Sequence, residues 1–307
     1  MKKKQKTPPS SGRKSGAAMA AAAIPLALSL LPAALDRAAN NGPGPTAPTA
    51  AVFKSKCELP FDDIKTDGLE VDAKCTVDGN AGDDKAKRLE NNAKNNFCVS
   101  GAATPITYDD LKGLQEAADN VAGLRATLKT SRAGLKDIFA PAGRPKLGEG
   151  TLVQFVAFVL DAHPSNVGKG KGENVNCKLP TRQDNDIHIE LTMDPKDTDE
   201  CSGVTAEMSP HFRPESWADV GSLNGADRPV RITGPLFFDD SHHPCHDGTG
   251  QPPLRISIWE IHPVYQFEVC TVKEKTLEKT LSACDIHKDS LWMPLDQWLS
   301  SEGENGS

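Results

Sequence analysis

Aromatic residues are scarce: Phe, Trp and Tyr make up 5% of the 307 residues, with only two Tyr. Proteins that hold single-stranded nucleic acid stack its bases on aromatic side chains in a basic groove, so this composition argues against that class. Hydrophobic residues are also few, at 37%, against about 45–50% (with Gly counted) in ordinary globular chains. Charged residues stand at an ordinary 25%, so the shortfall points to polar or disordered stretches around a normal core. Only one apolar run approaches the roughly 18 residues needed to span a bilayer, which excludes a polytopic membrane protein. Catalytic signatures are missing as well. There is no G-x-S-x-G, no G-x-x-x-x-G-K-[ST], no H-E-x-x-H and no G-x-G-x-x-G. The Gly168–Gly172 stretch (GKGKG) opens no helix and reads as a hairpin tip, not a phosphate cradle.

What is present begins with an export pattern. The first 14 residues carry Lys2, Lys3, Lys4, Lys6, Arg13 and Lys14 and no acid, and an Ala- and Leu-rich run follows from Ala17 to Leu35. A basic start followed by an apolar run is the layout of a secretory signal. Pro25 and Pro32 weaken the run as a permanent helix. Residues 1–38 are therefore expected to be a signal peptide or, if uncleaved, an inner-membrane anchor, and 39–51 a disordered Pro/Ala linker. The protein is then periplasmic or secreted, and touches a membrane only through this segment. Residues 1–38 hold seven of the 35 bases and one of the 42 acids, which leaves a net charge of −13 on the remainder. Such a charge repels phosphates, so no nucleic-acid partner is expected.

The eight cysteines are Cys57, Cys75, Cys98, Cys177, Cys201, Cys245, Cys270 and Cys284. No C-x-x-C occurs, so neither a zinc ribbon nor a thioredoxin-type site is indicated. In an exported chain an even set reads as structural disulfides. Proximity along the chain favours Cys177–Cys201 and Cys270–Cys284.

Residues 52–105 read as a small Cys-bearing subdomain with little periodicity. Its acids, among them Asp72, Asp78, Asp83 and Asp84, lack the EF-hand pattern and read as solvated loop. Residues 106–145 are a helical segment. Thr107 and Asp110 form a capping box, and Leu111, Leu114, Ala117, Val121, Leu124 and Leu128 share one face.

From 146 to 272 the pattern changes to strands: Thr151–Ala162, Asp186–Met193, Val204–Met208, Arg228–Phe238 and Arg255–Cys270. A short helix, Pro214–Val220, lies between the third and fourth strands. This order predicts a mainly β fold with a helical N-terminal part, in which an OB-like, five-stranded, partly open barrel follows an amphipathic helix. Pro263 inside the last run should mark a bulge or bend. The tail, 273–307, holds Trp292 and Trp298, placed to clamp it onto the domain, and its end is expected to be disordered.

With these elements placed, the chain resembles a family of exported bacterial proteins with an OB-like domain and no established function. The resemblance rests on Ala93–Cys98 (AKNNFC), Gly148–Val167, Val175–Cys177 (VNC), Asn185–Ile189 (NDIHI), Thr205–Pro214 (TAEMSPHFRP), Phe237–His242 (FFDDSH) and Trp259–Val264 (WEIHPV). It implies export and an OB-like core, and no activity.

Candidate chemistry therefore comes from the residues alone. Asp186, His188 and Glu190 lie on the second strand, Asp239, Asp240, His242 and His243 after the fourth, and Glu260 and His262 on the fifth. His and carboxylates ligate zinc and similar divalent ions, and His is the usual general base. One expectation is that His188 and His262 only brace the barrel region. The protein is then a disulfide-braced, non-enzymatic binding or interaction module for a protein, glycan or small ligand. The alternative is a metal-assisted hydrolase with His188, His262 and one of His242 or His243 on the ion and Glu190 or Glu260 as base. His242, His243, Cys245 and His246 (SHHPCH) form a second, compact metal candidate.

Overall fold

The computed structural model describes residues 71–165, 172–197, 199–245, 255–272 and 281–305. The expected signal and linker segments, residues 1–51, and Cys57 fall outside these residues. The Cys-bearing segment is more ordered than its lack of periodicity suggests. Asp84 accepts a hydrogen bond from Lys87 N and opens helix α1 (Lys85–Lys94). Asp78 accepts one from Asn92, and Asp72 pairs with His211 at 2.6 Å. These acids thus cap and brace the segment.

A short strand β1 (Thr104–Pro105) leads into α2 (Tyr108–Asp119), which begins on the Thr107–Asp110 capping box. The expected single helix does not continue. Gly123 takes a left-handed conformation (φ 71°), and α3 (Leu124–Leu128) starts afresh. The break rotates the buried stripe. Ala118 is buried in place of Ala117, and Val121 is 41% exposed. At Gly113 a Cβ would sit 2.4 Å from the Phe139 ring, so only glycine lets that ring lie against the helix.

The strands are β2 (Leu152–Pro164), β3 (Ile187–Thr192), β4 (Val204–Met208), β5 (Pro229–Phe238), β6 (Trp259–Ile261), β7 (Gln266–Cys270) and β8 (Trp292–Pro294). Strand β2 is long and pairs twice, with β3 through its second half and with β5 through its first, with a bulge between Val159 and Asp161. The order β2-β3-β4-β6-β5 returns to β2. The result is a closed five-stranded barrel, not a partly open one, with β4 and β6 as its parallel pair.

The expected fifth strand is two. The run breaks at the cis His262–Pro263 bond, so that β6 and β7 pair with different parts of β5. Gly234 permits the close passage there, since a Cβ would lie 2.5 Å from the Pro263 carbonyl. The segment between β4 and β5 is a 3-10 helix, Glu215–Leu223, and not an α-helix. The tail adds β8 against β7 and helix α4 (Leu295–Asn305). Trp292 is buried and Trp298 packs on the core.

Three disulfides are described: Cys75–Cys177, Cys201–Cys245 and Cys270–Cys284. Cys98 is disulfide-bonded as well. The Cys177–Cys201 pairing is corrected, because Cys177 bonds a residue 102 positions earlier. Proximity along the chain favours short loops, whereas the fold brings the first subdomain beside the loop that precedes β3. Disulfides persist in oxidising compartments, and no described helix is long and apolar enough to cross a membrane.

Candidate functional site

Side chains alternate along each strand, and this divides the barrel wall. Ile187, Ile189, Leu191, Val204, Ala206, Met208, Ile232, Leu236, Trp259 and Ile261 join the apolar core. The opposite parity therefore faces outward: Asp186, His188 and Glu190 at β3, Thr205 and Glu207 on β4, Phe237 on β5, Glu260 and His262 at β6. On a free barrel this face would be wet. Here it is covered. Lys94 at the end of α1 reaches Glu207 Oε2 at 3.5 Å and lies 5.3 Å from the Phe237 ring centroid. Beyond the helix, Tyr265 Oη donates to the Asn96 carbonyl at 2.5 Å.

The cover is held from beside the barrel. Asn91 donates to the Asp78 carbonyl and to Asn174 Oδ1, both at 2.6 Å. Asn95 donates to the Val77 and Val175 carbonyls at 3.2 and 3.3 Å. The Cys75–Cys177 bond joins the same strips covalently. Asn91, Asn92, Asn95 and Asn96 are all buried, and buried amides are tolerated only where partners are supplied.

Beneath the cover the polar residues meet. His262, fully buried, has Nδ1 2.7 Å from Glu207 Oε2 and 3.8 Å from Glu260 Oε2, and Nε2 4.0 Å from Asp186 Oδ2. His188 Nε2 lies 3.1 Å from Glu173 Oε1 and 3.8 Å from Glu207 Oε1. Glu173 Oε2 also accepts from Asn176 and from the Asp186 amide, both at 2.8 Å. On the far side Arg255 binds Glu260 and, at 3.2 Å, Asp239.

Burial and neighbouring charge set the protonation of this group. Burial alone would lower His262, yet the Glu207 carboxylate beside it raises it to about 10. His188 is likewise lowered by burial but raised overall to about 9 by Glu207 and Glu173. Burial tends to raise Glu207, and Lys94 and the two imidazoles overcome it and hold the carboxyl well below its usual range. Asp186 is pushed up to about 7 by burial and by the Glu173 charge. Near neutral pH both imidazoles are thus cations held between carboxylates. A general base needs its pKa near the working pH and its lone pair free, and neither imidazole meets that condition.

The expected zinc trio does not assemble. His262 and His188 share Glu207, but His242 is bound to Asp239 and His243 lies 3.3 Å from Arg125, because both leave the barrel with the loop after β5. The SHHPCH candidate loses its thiolate, since Cys245 is bonded to Cys201, and His246 lies outside the described residues. Glu190 stands on the outward face opposite Thr205, and Glu260 is committed to Arg255.

Among the described residues, the group whose ligand atoms converge within 4.8 Å is Asp186, Glu207 and His262. Sequence reasoning missed Glu207, Glu173 and Lys94. Glu207 had a readable signal, as the one acid at an outward position of the short apolar strand β4. Ser165 Oγ also approaches His188 Nε2, at 3.3 Å. It donates to Glu173 at 2.6 Å, and both groups meet the same ring nitrogen, which is not the geometry of a nucleophilic triad.

Searches against protein-family descriptions, curated proteins and solved structures returned no match to this chain.

Proposed function

We propose that the chain is an exported, disulfide-braced, non-enzymatic binding protein, whose OB-like barrel presents its rim and loops to a protein, glycan or small ligand outside the cytoplasm. The observation that carries this reading is the state of its best chemical groups. His188, His262, Glu207 and Asp186 are turned onto one another beneath α1 and serve to hold that helix on the barrel. The closed five-stranded barrel with its parallel β4–β6 pair supports the OB-like reading. Such barrels usually take ligands on the face of the second and third strands and on the flanking loops. Here those strands are β3 and β4, and Lys94 of α1 lies over Glu207 on their outward face, which turns attention to the rim. A rim cleft of about 220 Å³ is lined by Asp72, Lys74, Leu179, Gln183, Asp184 and His211. Its charges stand in pairs, Lys74 with Asp184 and Asp72 with His211, each at 2.6 Å. Paired charges beside Leu179 and Pro210 suit a small polar ligand or a polar segment of a partner. The net charge of −13 beyond residue 38 makes a nucleic acid a poor partner.

The reading is tested by titrating panels of glycans, peptides and small polar ligands while following amide shifts in the 72–74, 179–184 and 210–211 segments. Saturable shifts confined to these segments, weakened in Lys74→Ala, are expected. Turnover of a chromogenic ester, phosphate or peptide panel that disappears in Glu207→Gln would replace this reading with the hydrolase.

A further inference from the structure

The outward face beneath α1 holds more than an ion-pair lattice needs. Asp186 Oδ2, Glu207 Oε2 and both ring nitrogens of His262 make no hydrogen bond of acceptable geometry, although Glu207 and His262 lie in close contact. Glu260 Oε2, on a fully buried side chain 3.8 Å from His262 Nδ1, lacks one as well. Buried polar atoms in folded proteins are nearly always partnered, and each orphan costs about 1–3 kcal/mol, more if charged. Three of these side chains, Asp186, Glu207 and His262, bring one such atom each within 4.8 Å of one another, and a cation that satisfies them together is a simple explanation.

We infer that Asp186, Glu207 and His262 form a binding site for a divalent first-row metal ion, with Glu260 as an adjacent third carboxylate. Two carboxylates and one imidazole suit zinc or manganese, and the absence of a thiolate disfavours softer ions. Donors about 2.1 Å from a tetrahedral ion stand about 3.4 Å from one another. The three ligand atoms lie within 4.8 Å of one another, so small side-chain adjustments would bring them to that spacing. The ion takes the place of the imidazolium proton, as metal binding to His requires.

Lys94 is the rival. Its ammonium lies 3.5 Å from Glu207 Oε2 and supplies the positive charge that the ion would bring. The donors are buried beneath Lys94 of α1, so the ion enters while the chain folds, before α1 docks. Ligand capture at the rim does not depend on it, and loss of one function leaves the other measurable.

The test uses the full exported chain, purified without a His tag, unfolded in guanidinium with its disulfides intact, and refolded with zinc or manganese chloride. After desalting, metal per chain is measured by mass spectrometry. About one ion per chain is expected in the wild type, and near none in Asp186→Asn, Glu207→Gln and His262→Gln. These variants remove core partners and can fail to fold, so Lys94→Met provides a second arm that keeps every donor. With the repulsion of the Lys94 ammonium gone, it should hold the ion and release it to a chelator about tenfold more slowly than the wild type. His163→Ala/His243→Ala, which alters only exposed imidazoles, should retain full occupancy. An ion that persists in a folded Glu207→Gln or His262→Gln is adventitious and overturns the assignment. So does the absence of metal from both the wild type and Lys94→Met.

Discussion

Cys75 is bonded to Cys177 across a sequence separation of 102 residues, and this bond fastens the segment that carries α1 to the loop that enters β3. Cys75 is buried (4% exposed) and Cys177 half-buried, so the bond lies partly within the packing. Because α1 alone brings Lys94 to Glu207, the disulfide governs whether the outward face of the barrel stays covered.

The first prediction follows from that bond. Cys75→Ser/Cys177→Ser should lower stability by about 2–5 kcal/mol, as for native bridges in exported domains. Hydrogen exchange should show the loss first in α1 and in residues 172–177, ahead of the barrel strands. A double variant as stable as the wild type, with α1 amides equally protected, would remove the disulfide from this role.

A second prediction concerns the ion pair under the α2–α3 region. Arg132 donates to both oxygens of Glu149, at 2.8 and 2.6 Å, and to the Phe238 carbonyl at 2.5 Å. Both side chains are 2% exposed. Removing one member strands the other as an unpaired buried charge, so Arg132→Met should cost about 3–5 kcal/mol in denaturant unfolding. Arg132→Met/Glu149→Met should recover a large part of that loss, because the charge penalty disappears with the second substitution. A double variant that is additive in its losses would contradict this account.

The third prediction is a pH dependence at the α2 cap. Burial would raise Asp110, but hydrogen bonds from Arg144 and from Thr107 outweigh it and lower its carboxyl below the ordinary value. A carboxyl that is lower in the folded than in the unfolded state adds stability above its unfolded pKa, near 4, and loses it as pH falls through the folded value. Asp110→Asn should therefore cost about 0.5–2 kcal/mol at neutral pH, the worth of an N-terminal cap. The gap between the two melting temperatures should close as pH falls below the ordinary carboxylate range. A gap that persists unchanged to strongly acid pH would show that the charge of Asp110 contributes nothing.

Much of the wall of the barrel was legible because its signals are local. Alternation in Asp186–Met193 and Val204–Met208 names strands and sides without any knowledge of their partners. The Thr107–Asp110 box announced α2 because capping involves residues three apart. The capacity of Asp186, His188, Glu260 and His262 for chemistry was visible from residue type, and so was the shared face of Glu260 and His262, but not that this face points away from the core. Helix α1 was not legible, because its buried stripe consists of Leu89, Ala93 and asparagines whose burial depends on carbonyls from distant segments.

The sequence by itself thus determined which residues sit on which side of each strand, where α2 begins, and that the cysteines favour an oxidised state. Tertiary structure alone decided that the barrel closes, that Cys177 takes Cys75 and not Cys201, and that Glu207 and Lys94 join His262 while His242 and His243 do not. The reason is physical. Alternation and capping are set by atoms a few residues apart, whereas these pairings are set by chain closure over tens to hundreds of residues. The burial that turns His262 and Glu207 into a fixed ion pair exists only once α1 lies on the finished barrel.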